Sequence, residues 1–124
     1  MPFSLGKRIG SFRRAFRGIS TMLRTQHNTW IHLASTLLVV LLGLLLSLSV
    51  FEWVAIALVI GVVWVAEALN TAVEFLADEV SQAQRELIGK AKDAAAAGVL
   101  FAALSAFVVG ILVFAPHVIR LWKP

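Results

Sequence analysis

The chain has no cysteine and few charges. Without cysteine there is no disulfide framework, no thiolate metal site and no cysteine nucleophile. Only 15% of its 124 residues are charged and 60% are apolar, against about 25% and roughly 45–50% in an average soluble domain. A chain this short cannot hide so much apolar area from water, which excludes a soluble globular monomer. Disorder is excluded as well, because disordered segments are poor in large apolar side chains. Acids are missing from the first 51 residues, Glu52 being the first. There is no internal repeat and no low-complexity tail. The start does not read as a signal peptide, since no short apolar stretch with a small-residue cleavage site follows the bases.

What is present is long, uncharged and apolar. Residues 33–51 carry no charge, and about 20 such residues at 1.5 Å rise cross a hydrocarbon core ~30 Å thick. Residues 53–77 form a second span, uncharged through Ala66 and then bearing Glu67 and Glu74; residues 94–116 form a third, uncharged throughout. Trp30, Trp53 and Trp122 fall near the proposed ends, where interfacial rings are enriched. The expected fold is one all-α membrane domain over residues 1–124, with three transmembrane helices and a cytoplasmic loop at 78–93.

The bases set an orientation. Lys7, Arg8, Arg13, Arg14, Arg17 and Arg24 precede the first span, and Arg85, Lys90 and Lys92 separate the second from the third. Only Arg120 and Lys123 lie on the other side. By the positive-inside rule the N-terminus and the 78–93 loop are cytoplasmic, and the C-terminus is outside. Beside so much apolar sequence, the basic end suits anionic lipid headgroups rather than nucleic acid. Within residues 1–29, Phe12, Phe16, Ile19 and Leu23 recur at helical spacing while the arginines fall largely elsewhere. That pattern describes an amphipathic helix lying on the membrane surface, although a basic helix there can also be a plain topology anchor.

The costly residues are in the second span. Glu67, Asn70, Glu74 and Asp78 stand at spacings that form one stripe along a helix. Glu67 lies about 16 Å deeper along the axis than Asp78. A charge near the bilayer centre costs roughly 2.5–3.5 kcal/mol on insertion scales. Such acids can hold helices together through hydrogen bonds, but three acids and an amide on one stripe point to function. Glu67, deepest and least solvated, suits a general base. Glu74, nearer the cytoplasm, suits a hard cation such as Mg²⁺, and Asp78 suits an orienting role. Arg85, Glu86, Lys90, Lys92 and Asp93 fall on the same membrane face and can engage phosphate. Carboxylates for metal with bases for phosphate are the parts of phosphoryl transfer. The chain has neither a GxxxxGK[ST] loop nor a protein-kinase glycine loop, so a nucleotide site here is unlike those folds.

EALNTAVEFLADE, from Glu67 to Glu79, and GKAKDAAAAGVL, from Gly89 to Leu100, resemble the signature of the small bacterial integral-membrane diacylglycerol kinase and undecaprenol kinase family. The FRGI stretch from Phe16 to Ile19 extends the resemblance over nearly the whole chain. The resemblance implies a homotrimer in the bacterial plasma (inner) membrane, with active sites between subunits near the cytoplasmic interface. It implies transfer of the γ-phosphoryl of MgATP to a lipid hydroxyl. By the same likeness Glu67 is the catalytic base, Glu74 a metal and ATP ligand, Asn70 and Asp78 supporting residues, and Lys92 and Asp93 nucleotide contacts. Lys7 and Arg14 resemble further ATP contacts.

One position departs from the pattern. Where the family usually has a second metal-binding glutamate, this chain has Gln26 in TQHNTWIHL. Its carbonyl can still reach a hard cation and the nucleotide, but it brings no charge. His27 and His32 read as interfacial polar residues, because Mg²⁺ prefers oxygen. Asn28, the run Ile31-His32-Leu33 and the ending GILVFAP resemble the undecaprenol kinase branch more than the diacylglycerol branch. Two other functions compete. A small oligomeric transporter or proton-coupled channel subunit explains a deep Glu67, but not Asn70 or the Lys92–Asp93 pair. A catalytically impaired family member is suggested by Gln26 alone.

Overall fold

The computed structural model describes residues 5–80 and 85–122. Among them the chain forms α1 (Leu5–Thr25), α2 (His27–Leu45), α3 (Val50–Val80) and α4 (Glu86–Trp122). It is an all-helical membrane protein: α2, α3 and α4 are each long and apolar enough to cross a bilayer. The 31 residues of α3 and 37 of α4 reach about 46 and 55 Å at 1.5 Å per residue. Both therefore exceed a hydrocarbon core and carry charged ends beyond it. α1 is helical as expected, with Phe12, Phe16 and Ile19 exposed along one face.

The helix ends differ from the sequence reading, which ran the first span through residue 51. α2 starts at His27 and stops at Leu45. The stop is a Schellman cap: Leu48 N–H donates to Gly43 O at 3.1 Å and Ser47 N–H to Leu44 O at 3.4 Å, with Ser47 at φ 54°. The next helix starts at once through a capping box. Glu52 N–H donates to Ser49 Oγ at 3.4 Å, and Ser49 N–H donates to Glu52 Oε2 at 2.7 Å. This S-x-x-E start signal is visible in the sequence. It competes with an uninterrupted apolar run, and apolarity alone does not locate a turn. At the other end, α3 continues to Val80 and α4 begins at Glu86, so helix replaces most of the expected loop; residues 81–84 of that loop lie outside the described residues.

Side-chain pairs give the register. Trp64 Nε1 donates to Thr36 Oγ1 at 3.1 Å and His32 faces Glu67, which makes α2 antiparallel to α3. His117 and Glu52 at 2.8 Å, with Lys92 and Asp78 at 3.1 Å, make α3 and α4 antiparallel over most of their length. The apolar core sits toward the hairpin end: Leu48, Ile56 and Val113, packed by Val39, Trp53, Ile60, Val109 and Phe114. Gly43 lies at the tightest point, where a Cβ would stand 2.7 Å from the Trp53 ring and 3.0 Å from Leu48. Overpacking of this kind costs typically about 1–3 kcal/mol. Gly43→Ala is expected to lower the thermal unfolding midpoint in detergent; an unchanged midpoint would show that the hairpin is looser than described.

Candidate active site

The stripe foreseen on the second span exists, and its burial is graded. On α3, Glu67 is 1% exposed, Thr71 3% and Asn70 7%; Glu74 is half-buried and Asp78 exposed. The gradient arises because the first turns of α2 cover only its deeper part. Gln26 interrupts the helix with extended backbone angles, φ −112° and ψ 114°, separating α1 from α2. Trp30 Nε1 then ties the two helices by donating to Leu23 O at 2.8 Å. This corner holds Thr29, fully buried, and His32 against α3.

The polar atoms gathered there are mostly unpaired. Among the described residues, Thr29 Oγ1, His32 Nε2, both Glu67 carboxylate oxygens, Asn70 Oδ1 and Thr71 Oγ1 are buried without a hydrogen-bond partner. His32 Nε2 approaches Glu67 Oε2 to 3.5 Å. Asn70 Nδ2 points the other way, toward Glu74 Oε1 at 3.5 Å, and so connects the buried half of the stripe to its exposed half. Below Glu74, the Lys92 ammonium donates to Asp78 at 3.1 Å, which brings α4 to the stripe. Lys90 pairs with Glu86 one turn away on α4.

The other residues singled out from sequence are placed less closely. Asp93 is exposed on α4 and Gln26 is half-exposed at the α1–α2 corner. The Gln26 side chain makes no capping bond, and among the described residues no hydrogen bond joins it to Glu74. Arg14 is exposed and donates to Ser11 Oγ at 2.9 Å on its own helix. Lys7 lies in α1, with its side chain outside the described residues. The two histidines part company: His27 is exposed at the first turn of α2, whereas the His32 side chain is only 14% exposed and lies against Glu67. His32, Thr29 and Thr71 are the residues that the sequence reading missed. Their signal is polar spacing, Thr29 and His32 three apart on α2 and Thr71 four after Glu67 on α3, which puts each on an inward face.

Beside this cluster runs an apolar cleft of about 620 Å³ between α2, α3 and α4. His32 lines it together with Thr36, Val39, Ile60, Val63 and Phe107. The site thus has an apolar approach from one side and a charged rim on the other. No group of three or more His, Asp or Glu side chains able to hold a metal ion occurs among the described residues.

An unpaired buried polar group costs about 1–3 kcal/mol. Replacing Glu67 with leucine, similar in bulk, is therefore expected to raise the thermal midpoint of the ligand-free protein. A midpoint at or below the wild-type value would show that the carboxylate is satisfied.

The sequence profile of the family described as prokaryotic diacylglycerol kinase matches residues 13–114. The chain is 40% identical over 106 residues to the undecaprenol kinase of Bacillus subtilis (strain 168), covering 86% of each protein. It is 38% identical over 112 residues to the diacylglycerol kinase of Synechocystis sp. (strain ATCC 27184 / PCC 6803 / Kazusa), covering 90% of this chain and 64% of that protein. The profile match includes Arg14, Gln26, Glu67, Asn70, Glu74, Asp78, Lys92 and Asp93, and leaves Lys7 outside.

Proposed function

From the premise that the chain belongs to the prokaryotic diacylglycerol kinase family and is a lipid kinase, we propose that it transfers the γ-phosphoryl group of ATP to the hydroxyl of undecaprenol, with diacylglycerol as the alternative acceptor. The observation that carries the mechanism is the burial gradient on α3, from Glu67 at 1% exposure to exposed Asp78. A lipid alcohol arrives from hydrocarbon and a nucleotide from water. A stripe buried at one end and charged at the other is matched to both. Nothing in the comparisons supports the transporter reading that a deep glutamate alone leaves open.

In this reading Glu67 takes the proton of the lipid hydroxyl, whose oxygen then attacks the γ-phosphorus. The bond from that phosphorus to the β–γ bridging oxygen breaks, and ADP leaves with the electron pair. Glu74 and the Gln26 carbonyl would hold magnesium, which would supply charge neutralisation at the phosphate oxygens. Asn70 keeps Glu74 in place from the buried side. Asp78 holds Lys92 at the rim, where Lys92 and Asp93 meet the nucleotide, and the family likeness adds Arg14 and Lys7 of α1 as further nucleotide contacts. Transfer of this kind depends on positioning and electrostatics more than on covalent chemistry by the protein.

The single chain leaves much apolar surface uncovered, including Leu41, Leu58, Phe101 and Phe107. We assign that surface to lipid and to two further copies in a homotrimer, set in the plasma (inner) membrane with the N-terminus cytoplasmic and α1 lying on the surface. Undecaprenol is preferred because the relative of that name matches over 86% of both chains.

The test is transfer of label from γ-labelled ATP, with Mg²⁺, to undecaprenol or diacylglycerol presented in mixed micelles. Labelling of undecaprenol above diacylglycerol is expected, with a loss on the order of 10²–10⁴-fold in Glu67→Gln. Stronger labelling of diacylglycerol would reverse the substrate assignment. If wild type labels neither lipid while Gln26→Glu labels one, the chain is an impaired kinase.

A further inference from the structure

His32 has no part in the proton transfer just described, yet it lies beside the base. Its Nε2 stands 3.5 Å from Glu67 Oε2, with side-chain exposures of 14% and 1%. Among the described residues neither that nitrogen nor either carboxylate oxygen finds a hydrogen-bond partner. The two residues come from different helices, 35 positions apart. His32 also lines the apolar cleft, so it stands between the hydrocarbon approach and the carboxylate.

We propose that His32 is a positioning residue for Glu67: its Nε2–H donates to Glu67 Oε2 when the acceptor alcohol binds, turning Oε1 toward the lipid hydroxyl. The proposal rests on the kinase reading above. Bases in enzymes are commonly held by a third group in this way, and such contacts are often long until substrate closes them. The imidazole keeps its proton throughout. The hydroxyl proton passes to Glu67 Oε1, the hydroxyl oxygen forms the new bond to phosphorus, and the bridging oxygen departs with ADP. Three further unpaired atoms, Thr29 Oγ1, Asn70 Oδ1 and Thr71 Oγ1, lie on the same two helix segments. They offer an incoming hydroxyl partners that the chain leaves unmatched.

The experiment compares His32→Leu, His32→Gln and His32→Asn in the γ-label assay with undecaprenol and diacylglycerol, and follows their thermal midpoints. Gln places an amide N–H near the position of Nε2, whereas Asn falls short of it. His32→Leu is expected to lower kcat on the order of 10²-fold, the smaller end of a base contribution, with KM for MgATP unchanged. His32→Gln restores most of that kcat and His32→Asn does not. In a Glu67→Gln background, His32→Leu adds no further loss, because the two act as a unit.

Equal activity of the Gln and Asn variants overturns the proposal, and this comparison stands even if the Leu variant fails to fold. An unchanged kcat in His32→Leu, or an undiminished effect in the Glu67→Gln background, overturns it while leaving the kinase reading intact. Absence of lipid labelling by wild type overturns both.

Discussion

A carboxylate that is almost wholly buried among apolar helices sets the terms for the rest of this structure. Glu67 is 1% exposed, and among the described residues neither of its oxygens has a hydrogen-bond partner. Hydrocarbon cannot satisfy them as water would, and the chain could have removed the cost with one apolar substitution. It instead sets His32 against Glu67 and keeps Thr29, Asn70 and Thr71 buried on the same two helix segments, all with polar atoms left unmatched among the described residues. A purely structural polar network closes its own hydrogen bonds. One left open is complementary to a molecule that brings a donor and an acceptor, and an alcohol does both.

Stability is supplied elsewhere. The hairpin between α2 and α3 is fixed by a Schellman cap and a capping box in immediate succession, with Gly43 admitting the Trp53 ring. Glu52, having closed that box, also reaches His117 on α4 at 2.8 Å. This far end holds the apolar core of Leu48, Ile56 and Val113. The opposite end, where Asp78 meets Lys92, is held by an exposed pair, and such pairs contribute at most about 1 kcal/mol. The well-packed end keeps the helices in register, and in the proposed reading the lightly held end is where the nucleotide binds.

Much of this was legible in the sequence, and the exceptions have causes. Helical spacing placed Glu67, Asn70, Glu74 and Asp78 on one face because that depends only on local geometry. Apolar length identified three membrane-crossing helices for the same reason. Hydropathy does not locate the hairpin, because residues 46–51 are uncharged and still carry Leu46, Leu48, Val50 and Phe51; Ser49 and Glu52 mark the turn. His32 reads as interfacial because its packing against Glu67, 35 positions away, is not a local property of the sequence. Family resemblance assigned roles to Lys7, Arg14 and Gln26 that spacing alone could not. Among these, Gln26 is placed at the α1–α2 corner.

The central claim is that the buried end of the α3 stripe receives the lipid alcohol and its exposed end receives the nucleotide. Photo-crosslinking tests it most directly, using a lipid alcohol with a photoreactive group beside the hydroxyl and a photoreactive ATP, each mapped by mass spectrometry. The account predicts lipid adducts at residues 29–32 and 67–71 and nucleotide adducts at 74–78 and 90–93. Lipid adducts confined to 78–93, with none near Glu67, would contradict it.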